Sequence, residues 1–253
     1  MTKGGRDADV QGRGQAAAHL HTSDMPDVPD PPTATHFLAV DIETSGQFTD
    51  TNFVVEVGFA LIDIRDSTVV ATYDSYVAAP EGKGWERRCV DEFWRPLGQM
   101  FEYAKKRVAE AKPAKVVGKD IVEWIAENVV HPERTIVVTD EKGFDMKWLD
   151  TLLSDRTHMY LLSDKEGQPM YTNVLDVGSW YMGLGRNMSP GASSIDIARG
   201  VLAAVSPERY SSSTMSILDN LAASHTHRAG ADATGIGLTA SIIFDHVTNH
   251  LPG

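Results

Sequence analysis

Four acidic residues stand where apolar core positions are expected, and a histidine stands near one of them. In the run HFLAVDIE, side chains alternate between the two faces of a strand. Phe37, Ala39, Asp41 and Glu43 therefore share one face, and Leu38, Val40 and Ile42 the other. Two carboxylates project side by side from the end of an apolar strand, and charges that close repel unless a proton or a cation intervenes. Asp145 opens a second apolar stripe, with Trp148, Leu149, Leu152 and Leu153 at i+3, i+4, i+7 and i+8 of a helix. Asp232 opens a third, continued by Ile236, Ala240, Ile243, Phe244 and Val247. His227 lies in the loop leading to that last helix.

Each feature has an ordinary explanation when taken singly. Acids are common where a strand runs into solvent, Asp is a favoured N-cap, and a lone His before a helix is usually a surface or capping residue. Four inward-facing acids together are electrostatically untenable without compensation. A pair of hard divalent cations is the simplest compensation, and oxygen ligands with retained waters suit Mg²⁺ or Mn²⁺.

The elements that must position these residues can be traced along the chain. HFLAVDIE is followed by a Thr-Ser-Gly turn and by two more strand-like runs, NFVVEVGFALIDI and VVATYDSYVA, which predict an antiparallel meander. Helical patterning then runs from Arg87 to Ala111 and from Lys115 to Val129. RTIVVTD predicts a fourth strand and FDMKWLDTLL a helix, and helical patterns recur near 176–183, 191–204, 213–223 and 230–248. Strands first, then strand and helices in alternation, indicate an α/β domain with a mixed sheet. Residues 1–34 are rich in Gly, Ala, Asp and Pro and end in PDVPDPP, so they read as a disordered tail before a single domain at 35–253.

Composition narrows the function. The 253 residues carry 23 Lys and Arg against 35 Asp and Glu, a net charge of −12. That excludes gripping nucleic acid or a membrane by bulk positive charge, though not meeting a phosphate through bound cations. One cysteine, Cys89, excludes an internal disulfide and a multi-Cys zinc site and suits a reducing, cytoplasmic setting. No apolar run approaches the roughly 20 residues that span a bilayer, and the start has no signal-peptide core. There is no P-loop, no dinucleotide fingerprint and no nucleophile elbow.

FLAVDIETSG, GFDMKWL and HTHRAGADATG resemble the three motifs of the DEDD exonucleases, in the subgroup with a histidine (DEDDh). Ribonuclease T, oligoribonuclease and an exoribonuclease-like branch are the similar relatives. The spacing His227-x4-Asp232 fits that subgroup, and Glu56 and Gly58 match its frequent E-x-G in the second strand. The resemblance implies a ribonuclease H-like fold, with a mixed five-stranded sheet of three antiparallel strands, then parallel strands, flanked by helices. It also implies that Asp41, Glu43, Asp145 and Asp232 bind two Mg²⁺ or Mn²⁺ ions and that His227 is the general base. Thr44, Ser45 and Gly46 would hold the terminal nucleotide through their backbone, and Trp94 or Phe93 would stack on a base. Where many relatives carry His-Asn before the second motif, this chain has Asp140-Glu141, so Asp140 is a rival for the third carboxylate.

The implied reaction is 3′→5′ hydrolysis of single-stranded ends, RNA favoured over DNA, by a two-metal-ion mechanism. Imidazoles titrate near pH 6.5, which suits a proton acceptor at neutral pH. Many relatives form dimers, so the resemblance also points to a homodimer. Two other readings use the same fold: a module that binds nucleic-acid ends or partner proteins without cutting, and a ribonuclease H-type endonuclease. The latter does not require the His-x4-Asp pair.

Overall fold

The computed structural model describes residues 34–153, 174–183, 197, 200, 210–223 and 227–250. The expected 1–34 tail, all but its last residue, and most of the expected helix at 191–204 lie outside these residues. Strands β1 (His36–Thr44), β2 (Val54–Asp63), β3 (Thr68–Tyr76), β4 (Thr135–Thr139) and β5 (Val174–Asp176) form one sheet in the order β3-β2-β1-β4-β5. The first three strands pair antiparallel, and β4 and β5 add in parallel. β2 is buried along its whole length, which explains its run of Val, Phe, Leu and Ile. β3 is an edge strand, and its Thr, Tyr and Asp residues alternate in exposure.

The helices are α1 (Gln99–Glu110), α2 (Ala114–Asn128), α3 (Lys142–Leu153), α4 (Val177–Gly183), α5 (Ser212–Ala223) and α6 (Ala229–His250). Strand alternation divides the core into two layers. Phe37, Ala39, Ala60 and Ile62 meet Ile236, Ala240 and Ile243 of α6 on one side. Leu38, Val40, Val57 and Phe59 meet Val117, Ile121, Trp148 and Leu149 of α2 and α3 on the other. Close approach of α6 depends on glycine. A Cβ on Gly58 would overlap the Ala229 carbonyl, and one on Gly237 would lie 2.6 Å from Ile62 Cγ1 and 3.0 Å from Ala39.

Two elements differ from the sequence reading. The helical stretch from Arg87 to Ala111 is broken into short turns, Arg87–Cys89, Val90–Trp94 and Arg95–Leu97, before α1 begins. Pro96 carries no N–H to continue a helix, and Gly98 takes φ 59°, a left-handed conformation that restarts the chain in a new direction. β5 spans only three residues, too few to show alternation, and the periodicity there registers as helix alone.

Candidate active site

β1 ends in the centre of the sheet, and the acids gather at that end. Asp41 lies opposite Gly58 and Glu43 opposite Glu56 on β2, with a register shift between Glu43 and Thr44 that closes the strand. Asp145 sits in the first turn of α3, the helix that follows the neighbouring parallel strand β4, and is 3 % exposed. Its Oδ2 accepts a hydrogen bond from the Thr139 hydroxyl at the end of β4. Asp232 lies in the first turn of α6. Ligand atoms of Glu43, His227 and Asp232 all lie within 4.8 Å of one another.

The carboxyls respond to this crowding. Burial first, then the charges of Glu43, Asp140, Asp145 and Asp232, push the Asp41 carboxyl well above the usual range. Glu43 is pushed up by burial and then by Asp232, Glu56, Asp140 and Asp145. Burial also raises Asp145 to about 7, against the opposing hydrogen bond from Thr139. Asp140 is raised to about 6, by desolvation and then by Asp232 and Glu141. Asp41 Oδ2 is buried and, among the described residues, has no hydrogen-bond partner. A carboxylate oxygen of this kind, facing further acids, fits a bound cation: an unpaired buried charge costs several kcal/mol, on the order of the penalty that ion binding removes.

The turn after Glu43 is tied from several sides. Thr44 Oγ1 donates to the Gly46 carbonyl at 2.8 Å, and Ser45 Oγ accepts the Phe53 amide at 2.9 Å. Glu86 accepts the Gln47 amide through Oε2 at 2.8 Å, and its own amide donates to the Ser45 carbonyl at 2.8 Å. A Cβ on Gly46 would meet Glu86 and Asn52, so the close approach requires glycine. Nothing in the sequence signals Glu86, which reaches the turn from 39 residues away.

Trp94 does not offer a stacking face. It is 2 % exposed, packs edge-on against Trp85 and Phe93, and donates its indole N–H to the Thr44 carbonyl at 2.9 Å. Its place is beneath the turn, because the broken segment at 87–97 folds its largest ring inward. Phe93, its neighbour, is the one turned toward the site, with its ring centroid 4.8 Å from that of His227 and nearly perpendicular to it. Phe93, Phe144, Gly46, Cys89 and Glu141 line a cleft of about 320 Å³ that also includes Glu43 and Thr44. Burial raises the Cys89 thiol to about 11, so it is not a ready nucleophile. Phe144 is the residue that sequence reasoning missed here; its position directly before Asp145 was the available signal. Trp148 is buried in the core, with its ring edge-on to that of Phe144. His225 lies outside the described residues.

Arg228 is partly buried. Its Nε donates to Glu56 Oε1 at 2.9 Å, and the Glu56 side chain is 1 % exposed. A charged residue inside the otherwise apolar run VVEVGFALID was the signal that such a partner had to exist. His227, just before it, has φ 45°, uncommon for a residue with a Cβ.

A five-stranded mixed sheet in this order, flanked by helices, is the ribonuclease H-like fold. No family model matches the sequence, and no curated protein matches it. Solved structures do. The nuclease domain of 3′hExo, a DEDDh family member bound to rAMP, is similar with TM-score 0.54 at 11% identity, over 86% of this chain and 94% of that one. Cell-death related nuclease 4 (CRN-4) is similar with TM-score 0.52 at 12% identity, over 85% and 64%. A zinc-bound complex of E. coli ExoI with single-stranded DNA is similar with TM-score 0.53 at 13% identity. This chain covers 86% of its own length and 43% of that protein's. Among the described residues, no helix is long and apolar enough to cross a membrane.

Proposed function

We propose that this chain is a divalent-metal-dependent 3′→5′ exonuclease acting on single-stranded ends. RNA is favoured over DNA because the motifs resemble the exoribonuclease-like branch, and rAMP occupies one of the similar structures. The observation that carries the reading is the buried Asp41 Oδ2, without a hydrogen-bond partner among the described residues, amid acids drawn from β1, α3 and α6.

In this reading Asp41, Glu43, Asp145 and Asp232 hold two Mg²⁺ or Mn²⁺ ions. Asp145 rather than Asp140 is the third carboxylate, since it is buried and oriented by Thr139. When bound, such a pair lowers the pKa of an attacking water and stabilises the leaving 3′ oxygen. A ring nitrogen of His227, within reach of Glu43 and Asp232, would accept the proton of the attacking water. The turn at Thr44, Ser45 and Gly46 brings backbone close to the terminal nucleotide, and Phe93 and Phe144 offer apolar faces to its base. In-line displacement at phosphorus asks mainly for positioning and charge neutralisation, which suits so acidic a chain.

Digestion of 5′-labelled single-stranded RNA with Mg²⁺ tests this. A ladder shortening from the 3′ end supports the proposal. Internal cuts would make the chain an endonuclease, and no cleavage with any divalent ion would leave a binding module.

A further inference from the structure

We propose that Arg228 is a positioning residue for His227, held in a clamp made by Glu56, Asp74, Tyr76 and Tyr103. The inference rests on the reading of His227 as the general base. The guanidinium donates through Nε to Glu56 at 2.9 Å and through Nη2 to Asp74 at 3.2 Å. It also lies 5.4 Å from the Tyr76 ring centroid and 5.8 Å from that of Tyr103. Glu56 and Asp74 belong to neighbouring strands, β2 and β3, so the planar fork is tied to two rigid elements at once. A lysine could not reproduce that geometry.

The backbone of Arg228 extends the tie in both directions. One residue before it, His227 is held at φ 45°, a conformation that persists only where the surroundings impose it. On the other side, the Arg228 carbonyl accepts the amide of Asp232 at 2.9 Å and starts helix α6. The residue opposite Glu56 on the sheet is Glu43. One cross-strand pair therefore carries an acid of the metal site on β1 and the anchor of the histidine loop on β2. Arg228 also offsets the charge of Glu56, which otherwise adds to the repulsion on Glu43. An ion pair serving stability alone would slow every variant of the enzyme alike; a positioning residue acts only while His227 is present.

Steady-state digestion of 5′-labelled single-stranded RNA with Mn²⁺ separates the two, using the parent, R228Q, H227A and the double variant. The expected result is a loss of about tenfold or more in kcat for R228Q, with KM changed by less than about twofold. In the H227A background R228Q then costs less than about twofold more. The variant E56Q/R228Q removes the buried charge that R228Q leaves unpaired, so it carries the test if R228Q does not fold. It is expected to show a thermal transition near the parental one and to stay slow. Equal losses from R228Q with and without His227, or parental turnover by E56Q/R228Q, overturn the inference. If H227A itself matches the parent, the general-base reading falls and takes this inference with it. If H227A is slow and the two losses simply multiply, this inference alone falls.

Discussion

Replacing Asp145 with Asn should make the metal-free protein more stable at pH 8 and leave it little changed at pH 4. The Asp145 carboxyl is 3 % exposed and raised to about 7 from an ordinary 3.8. A folded pKa above the unfolded one means that the folded state holds the proton more tightly. The favourable contribution is then fully present below about pH 4 and is lost as the pH rises through about 7. Once ionised, a carboxyl so displaced carries a folded-state penalty on the order of 4 kcal/mol. Asn has the same shape and can still accept from Thr139, so most of that penalty disappears. With relaxation, a gain of about 2–4 kcal/mol at pH 8 corresponds to roughly 5–15 °C in Tm for a domain of this size. Thermal unfolding in chelator across that pH range reads it directly. Mn²⁺ at a thousandfold excess over Kd should then close that gap, because only the parent gains the full stabilisation of binding, about 4.1 kcal/mol per ion. A variant less stable than the parent in chelator at pH 8 would refute the claim that Asp145 is a repelled, buried charge.

Asp41→Ala should abolish digestion and raise stability in chelator by about 1 kcal/mol, because the unpartnered Oδ2 is removed; activity and thermal unfolding check this together. His227→Ala should slow turnover while Mn²⁺ binding, followed by calorimetry, survives; loss of affinity would instead make His227 a ligand. Gly58→Ala should cost about 1–3 kcal/mol, since the added Cβ overlaps the Ala229 carbonyl, and should weaken Mn²⁺ binding as α6 is displaced. Phe93→Ala should raise KM for short RNA by roughly 5- to 100-fold, the loss of about one stacked base, with a smaller effect on kcat.

Much of this molecule is legible in its sequence where local pattern and tertiary role coincide. Asp41 and Glu43 betray themselves by occupying the face that Phe37 and Ala39 bury, and Asp145 and Asp232 by opening stripes that α3 and α6 bury. The meander, the fourth strand and the long final helix follow from the same periodicities. What escapes is whatever depends on contacts distant in the chain. The inward turn of Trp94 is decided by Trp85 and by the Thr44 carbonyl, and its sequence neighbour Phe93 takes the outward position instead. Glu86 supports a turn from 39 residues away, and Arg228 finds its anchors on β2 and β3. β5 is too short to announce itself, and Gly98 ends a helical pattern that composition alone would continue.

Counting bound Mn²⁺ per chain by electron paramagnetic resonance addresses the acidic cluster most directly. Two saturable ions per chain are expected at pH 8, with affinity falling toward pH 5 as the raised carboxyls take up protons. Binding should be lost in Asp41→Ala. Absence of saturable binding in the parent, or binding undiminished by that substitution, would contradict a divalent-ion site between β1, α3 and α6.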